Sequence, residues 1–333
     1  MKAIKILTMA ALATAVFASC SNDEDLAQSN YPMDNVVRIM TSVDGMNTRA
    51  SYGNSTDKLS SFGFCINNAG SDKYTYDNIK VTKEGSNWNP ATQMFWQNST
   101  TAVDILAYAP YQETTEDASG KVKVFGKTDY AFSVKEDQSN AEDYSSDLIV
   151  FKQTGFTPVL ELNTSKAVEV AFTHLLSQLN LTIELRDQFN QDEKKPVTSA
   201  TVTDVKVDGT IISSKVDFSA SPISVQVDGT QAATAITPET TGFTPAENAT
   251  GHAVFNYSTI VIPQTIATGN FSISFKVNGN DYIWTSTSDV NFVSGKKHDL
   301  LLLVGKDVVQ GGAISAKPWE EGTTGTTGSL ETD

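Results

Sequence analysis

From residue 36 onward, apolar residues recur at every second position in short bursts bounded by Gly, Asn, Asp, Ser and Pro. Val37, Ile39, Thr41 and Val43 open the series, followed by Phe62, Phe64 and Ile66, by Ile79 and Val81, by Val103, Ile105 and Ala107, and by Tyr130, Phe132 and Val134. The second half continues with Val168, Val170 and Phe172, with Leu179, Leu181, Ile183 and Leu185, with Phe271, Ile273, Phe275 and Val277, and with Leu300, Leu302 and Val304. A period of two places alternate side chains on one face of a strand, so these bursts predict half-buried strands. The longer period of an amphipathic helix is not evident, and the best candidate for one helical turn lies at residues 174–178. Asp208-Gly209 and Asn278-Gly279 tolerate positive φ, which predicts tight hairpins at both places. Such strands fold as antiparallel sheets packed face to face, giving an all-β architecture of β-sandwiches. A boundary is expected between Leu162 and Lys166, dividing residues 36–163 from residues 164–319. Residues 320–333, rich in Gly and Thr, read as a flexible tail.

The chain before this region is of another kind. Lys2 and Lys5 precede an apolar run at residues 6–17, too short to cross a bilayer core of about 30 Å but the right size for the centre of a signal peptide. Ala18-Ser19 then leads to Cys20, where a bacterial lipoprotein signal peptidase would cut and a lipid would be attached. Residues 1–19 therefore read as a lipoprotein signal peptide, although Phe17 stands where an aliphatic residue is usual. The alternative is an ordinary secretory peptide that leaves Cys20 as a free thiol. Residues 20–35 form an acidic tether, and Asp23-Glu24-Asp25 behind the cysteine resembles a surface-export signal of lipoproteins in anaerobic gut and oral Gram-negative bacteria.

Length and charge narrow the function. A chain of 333 residues holds about two domains of roughly 100–200 residues each. Its net charge of −15, which becomes −17 when Lys2 and Lys5 leave with the signal peptide, argues against nucleic acid as a partner. With 39% hydrophobic and 19% charged residues the chain can bury real cores. The second cysteine, Cys65, points away from Phe62, Phe64 and Ile66 if that strand alternates, and reads as structural.

Chemistry is sparse. Three histidines, His174, His252 and His298, have no partners at metal-ligand spacing, and no nucleophile or phosphate-loop motif is present. The acidic run at residues 187–193 lacks the glycine and terminal glutamate of a calcium loop. Trp88, Trp96, Tyr108 and Tyr111 could stack on sugars, but at strand spacing they read first as core and sandwich rim. Neither catalytic residues nor a cofactor or metal site is expected, and the chain does not read as an enzyme.

The order of several further features resembles a family. Thr48-Arg49-Ala50 follows the first strand, Trp96 leads into Val103-Asp104-Ile105-Leu106-Ala107-Tyr108-Ala109-Pro110-Tyr111, and Val170-Ala171-Phe172-Thr173-His174-Leu175-Leu176-Ser177-Gln178-Leu179 comes next. Ile262-Pro263-Gln264, Ser294-Gly295-Lys296-Lys297-His298 and a final stretch from Ile314 to Trp319 complete it. Together with the lipoprotein signal, this order is similar to that of the fimbrillin family, the Mfa-like and FimA-like pilins. The resemblance implies two transthyretin-like antiparallel β-sandwich domains in tandem. It also implies a precursor anchored to outer-membrane lipid through Cys20, cutting after an arginine by an arginine-specific surface protease, and polymerisation with other fimbrial subunits by strand exchange. The fimbria on the cell surface would then serve adhesion or biofilm formation. Arg49 matches the processed arginine, with Ala50 the new start; Arg38 is the other candidate but lies in a predicted strand.

Residues 36–49 would be the removable strand and loop. Losing Val37, Ile39 and Val43 from a core forfeits on the order of 5–12 kcal/mol, at roughly 1.5–3 kcal/mol for each of three or four side chains. A strand from a neighbouring subunit would refill the groove, in a head-to-tail contact that propagates. The candidate donor is the C-terminal segment with Val308, Ile314 and Trp319, though Pro318 interrupts it. A stalk subunit and an anchor, tip or accessory subunit both remain open. The alternative is a monomeric lipid-anchored surface β-sandwich that binds glycan or host protein through its aromatic residues.

Overall fold

The computed structural model describes residues 30–43, 56–113, 123–190, 196–247, 251–306, 308–312 and 314–319. In chain order the strands are β1 (Ile39–Val43), β2 (Ser61–Asn67), β3 (Tyr76–Glu84), β4 (Asn87–Pro90), β5 (Val103–Ala109), β6 (Tyr130–Ser133) and β7 (Ile149–Phe156). A short α-helix, α1 (Pro158–Glu161), is followed by β8 (Val168–His174), β9 (Ser177–Leu185), β10 (Val202–Asp208), β11 (Ser213–Asp217), β12 (Ser224–Val227) and β13 (Glu239–Thr244). The remainder comprises β14 (Ala253–Val261), β15 (Gln264–Ile266), β16 (Ser272–Val277), β17 (Asn280–Thr285), β18 (Val290–Phe292), β19 (Lys296–Val304), β20 (Val309–Gly311) and β21 (Ser315–Pro318). The fold is all-β, as the alternation predicts.

The largest sheet has seven strands in the order β1-β8-β7-β5-β2-β3-β4. One of its faces gathers Phe62, Phe64, Ile66, Ile105, Ala107, Val168, Val170 and Phe172 into a core. The sheet is curled, because Phe62 on β2 meets Phe172 on β8 edge-on at 5.4 Å although β5 and β7 stand between them. The opposite face sends Cys65, Leu106 and Tyr108 into a second, larger core, so strand alternation orients Cys65 as expected.

That second core is covered first by the sheet β12-β11-β6, which supplies Tyr130 and Phe132. It then continues between the sheet β13-β14-β9-β19-β20 and the sheet β10-β16-β17, with Leu181, Phe255, Phe275 and Leu302 among its members. Strand β21 also pairs with β19, and β15 and β18 form a separate ribbon. The larger core thus draws on residues from both sides of the expected division at 163/164, and β8, beyond that division, lies in the seven-stranded sheet.

Two local expectations are corrected. Residues 174–178 do not make a helical turn: β8 ends at His174, β9 starts at Ser177, and Leu175 and Leu176 between them are buried, with the Leu175 N–H donating to the Leu148 carbonyl at 2.9 Å. A run of apolar residues without a period says that a segment is buried, not which conformation it takes. Asp208-Gly209 does not make a hairpin either. Strand β10 pairs with β16 while β11 pairs with β6 and β12, so the step passes the chain between sheets. Gly209 has φ +93°, and a Cβ there would stand 1.9 Å from the Asn270 carbonyl oxygen. Asn278-Gly279, at φ 51° and 84°, does close the β16–β17 hairpin.

Candidate functional site

Strand β1 lies at one edge of the seven-stranded sheet and runs parallel to β8, with Ile39 opposite Val168 and Val43 opposite Phe172. A parallel pair cannot be joined by a tight turn, and here its members come from distant parts of the chain. The Val168 N–H donates to the Arg38 carbonyl at 2.8 Å. Just before β1 the chain is held from another side, since the Val37 N–H donates to the Met94 carbonyl at 3.0 Å and the Trp96 N–H to the Asn35 carbonyl at 2.8 Å. Val37 and Ile39 are 2% and 7% exposed and belong to the smaller core. On its other side β8 pairs with β7 only through His174 with Ile149 and Thr173 with Val150. Residues 168–172 of β8 therefore have their ladder partners in β1.

Arg38, exposed beside β1, grips Asp34 with both terminal nitrogens, at 2.6 and 3.1 Å. Hydrogen bonds from the Arg38 guanidinium and then from the Val36 N–H hold the Asp34 carboxyl down at about 2. Cys20, Arg49 and Ala50 lie outside the described residues.

The C-terminal segment returns along β19. Both β20 and β21 pair with it antiparallel, β20 at Leu302–Val304 and β21 at Lys296–Asp299. Val308 is exposed, Ile314 is half-buried against the larger core, and Trp319 is buried. The Trp319 indole stacks on the His174 ring, centroids 4.0 Å apart and planes at 14°. His174 Nδ1 lies 2.9 Å from Asp147 Oδ1, both side chains being buried, and the Lys297 ammonium sits 5.8 Å from the centre of the Trp319 ring. Burial holds Lys297 below the usual lysine range.

A model of the fimbrillin-like family matches residues 48–319. The chain belongs to this family. The match begins after β1 and ends at the residue that stacks on His174. Solved structures share the fold of this fimbrillin-like chain. A fimbrial protein from Bacteroides vulgatus, 15% identical, superposes with a TM-score of 0.53 over 85% of this chain and 99% of its own. A candidate cell adhesion protein from Bacteroides uniformis is 20% identical, with a TM-score of 0.55 over 86% and 99%. Another from Bacteroides ovatus is 14% identical, with a TM-score of 0.57 over 84% and 97%. No curated protein matches the chain.

Among the described residues of the fimbrillin-like chain, no three His, Cys, Asp or Glu side chains are grouped as metal ligands. His252 Nδ1 lies 2.6 Å from Glu184 Oε1, and His298 is buried with its Nε2 accepting from the Val293 N–H at 3.1 Å. Of the four aromatics weighed as a sugar platform, Tyr111 is half-buried with the Lys80 ammonium 5.1 Å from its ring centre, and the other three pack inward. Trp96 stacks on Phe156 in the smaller core, Tyr108 lies in the larger one and donates to Asn78 Oδ1 at 2.6 Å, and Trp88 packs edge-on to Phe62 at 5.0 Å. Burial pushes the Cys65 thiol well above its ordinary value, with the nearby Asp77 carboxylate adding to the effect. The Asp147–His174–Trp319 cluster carries no sequence motif, because its members meet only where the end of β8, paired with β7, lies against the residue that follows β21, itself paired with β19.

Proposed function

We propose that this fimbrillin-like protein is a non-enzymatic structural subunit of cell-surface fimbriae. In this reading it is exported as a lipoprotein precursor held in the outer membrane through Cys20. An arginine-specific surface protease trims it after Arg49, and it joins other fimbrial subunits by β-strand exchange, supporting adhesion or biofilm formation. Family membership supports the fimbrial and cell-surface part, and the names of the matching structures agree with it. The observation that carries the exchange step is the β1–β8 ladder.

Removing β1 would strip residues 168–172 of their backbone partners and uncover Val37 and Ile39 contacts worth a gross total of roughly 3–6 kcal/mol. An incoming strand from a second subunit would restore both. It would add in parallel to the β8 edge, and the contact, being between unlike surfaces, would propagate into a filament. The first sandwich of the tandem transthyretin-like pair would then take in β8.

The arginines support the choice of Arg49. The chain has only Arg38, Arg49 and Arg186. A protease needs a segment it can draw out of the surface. The Arg38 carbonyl is bound by β8. The Arg186 N–H donates to the Val304 carbonyl at 2.9 Å, and its own carbonyl accepts from the Phe189 N–H at 3.0 Å. Arg49 is the arginine left. The alternative, a monomeric lipid-anchored β-sandwich that binds glycan or host protein, would have to use Trp88 and Tyr111, since Trp96 and Tyr108 are buried in different cores.

The test is to treat the full-length protein with an arginine-specific protease, identify the new N-terminus and run a native gel. The reading expects one cut, before Ala50, followed by a ladder of oligomers, and no ladder from Arg49→Ala. A clean cut without oligomers, or an Arg49→Ala variant that assembles like the parent, overturns it.

A further inference from the structure

Both ends of the described chain are fastened to one strand. The outer edge of β8 is laddered to β1 over residues 168–172, and its last residue, His174, is the platform for Trp319 at the end of β21. Between these two attachments β8 has little other backbone hold, because β7 meets it only at Thr173 and His174. With β1 in place, β8 is anchored along its length. Without it, the strand is held in the sheet from its far end alone, by two residue pairs, one of which includes the ring under Trp319, and by the Leu175 N–H bond to the Leu148 carbonyl just beyond.

The attachment of β21 is equally narrow. It is a strand of four residues at the end of β19, and Pro318 within it has no N–H to donate. Trp319 follows directly and is buried in the larger core. One face of that indole rests on His174, whose ring meets Asp147 and whose backbone pairs with Ile149.

We propose that β8 couples the two ends of the chain: β1 keeps His174 seated for Trp319, and loss of β1 lets β8 open locally and frees β21 from β19. Processing at the amino end would thereby loosen the carboxyl end of the same molecule. The link is reciprocal by thermodynamic necessity, so a weakened Trp319 contact also loosens β1. This rests on the strand-exchange reading for its purpose, but not for its mechanics.

Native-state hydrogen exchange of the full-length protein under rising urea tests the coupling without any variant. Amides of residues 39–43, 168–172, 315–317 and 319 should merge into one opening step, reached before β9 opens. Separate openings, with residues 315–319 following their own urea dependence, overturn the proposal. A second arm uses Ile39→Ala, with Ile66→Val on β2 as a control in the same core. Ile39→Ala should speed exchange about tenfold or more in both 168–172 and 315–319, and the control should leave 315–319 unchanged. Acceleration confined to 168–172, or equal acceleration by the control, overturns it. If Ile39→Ala does not fold, the urea series on the parent protein decides. Assembly after protease treatment is a separate readout: oligomers without joint opening defeat the coupling alone, and joint opening without oligomers defeats the fimbrial reading alone.

Discussion

Ile39 stands opposite Val168 in a parallel ladder, its side chain buried in the core that also holds Val170 and Phe172. The neighbouring Met40 points the other way and is 47% exposed. Truncating a buried isoleucine to alanine costs about 2–5 kcal/mol, whereas a surface change away from special contacts stays within about 0.5 kcal/mol. Ile39→Ala should therefore lower the urea midpoint of the full-length protein clearly, and Met40→Ala, which gives up only a long Asn163 Nδ2 contact to its sulfur at 3.4 Å, should lower it far less. Equal midpoints for the two variants would mean that β1 lies on the sheet without being held by it.

The stacked pair Trp319 and His174 makes a second, graded prediction. Trp→Ala in a core costs about 3–5 kcal/mol, an upper limit here because β21 can detach while β9 and β19 stay folded. The indole N–H of Trp319 has no hydrogen-bond partner, so Trp319→Phe keeps an aromatic face on His174 and gives up no hydrogen bond. Chemical denaturation should rank the parent first, Trp319→Phe close behind and Trp319→Ala well below. An alanine variant as stable as the parent would show that the stack contributes nothing.

Much of the β architecture was legible because alternation is local. Phe62, Phe64 and Ile66 face one way and Cys65 the other, and the pattern of apolar residues alone says so. What alternation cannot supply is the partner. Val168, Val170 and Phe172 read as a strand, but nothing in those residues says that the strand lies beside residues 39–43, because a parallel pairing of distant segments leaves no turn signal between them. Gly209 shows the same limit from the other side, since an Asp-Gly step tolerates a hairpin without requiring one. The removable strand was therefore legible as a strand, and its acceptor was not. Trp319 likewise appeared as a donor residue, and only folding shows that it is seated on His174.

His298 gives the fold a dependence on pH. Burial, the largest cause, holds its pKa below 6.5, against the upward pull of Asp299. In the unfolded chain the ring takes up its proton near 6.5, before the folded protein does. The contribution of a neutral His298 to stability is thus fully present above pH 6.5 and declines as the pH falls below it, levelling off under the folded value. Melting temperatures measured from pH 8 to pH 5 should fall further for the parent than for His298→Gln, whose side chain does not titrate. Parallel curves for the two proteins would remove His298 as a source of acid sensitivity.

Gly311, the last residue of β20, tests how closely the C-terminal segment is fitted. A Cβ at this position would stand 2.2 Å from Nε1 and 2.5 Å from Cε2 of Trp284 on β17. An indole is rigid, so either β20 lifts from β19 or the ring turns away from Phe271, which it meets edge-on at 6.3 Å. Overpacking of this sort costs about 1–3 kcal/mol, and Gly311→Ala should lose stability in that range. Gly312→Ala is the control, because an added Cβ there meets nothing within 4 Å, and it should stay within about 0.5 kcal/mol of the parent. A smaller ring makes room, so Gly311→Ala should cost less in a Trp284→Phe background than in the parent, a coupling that a double-mutant cycle reads directly. Additive losses would show that Gly311 is required for some reason other than the indole above it.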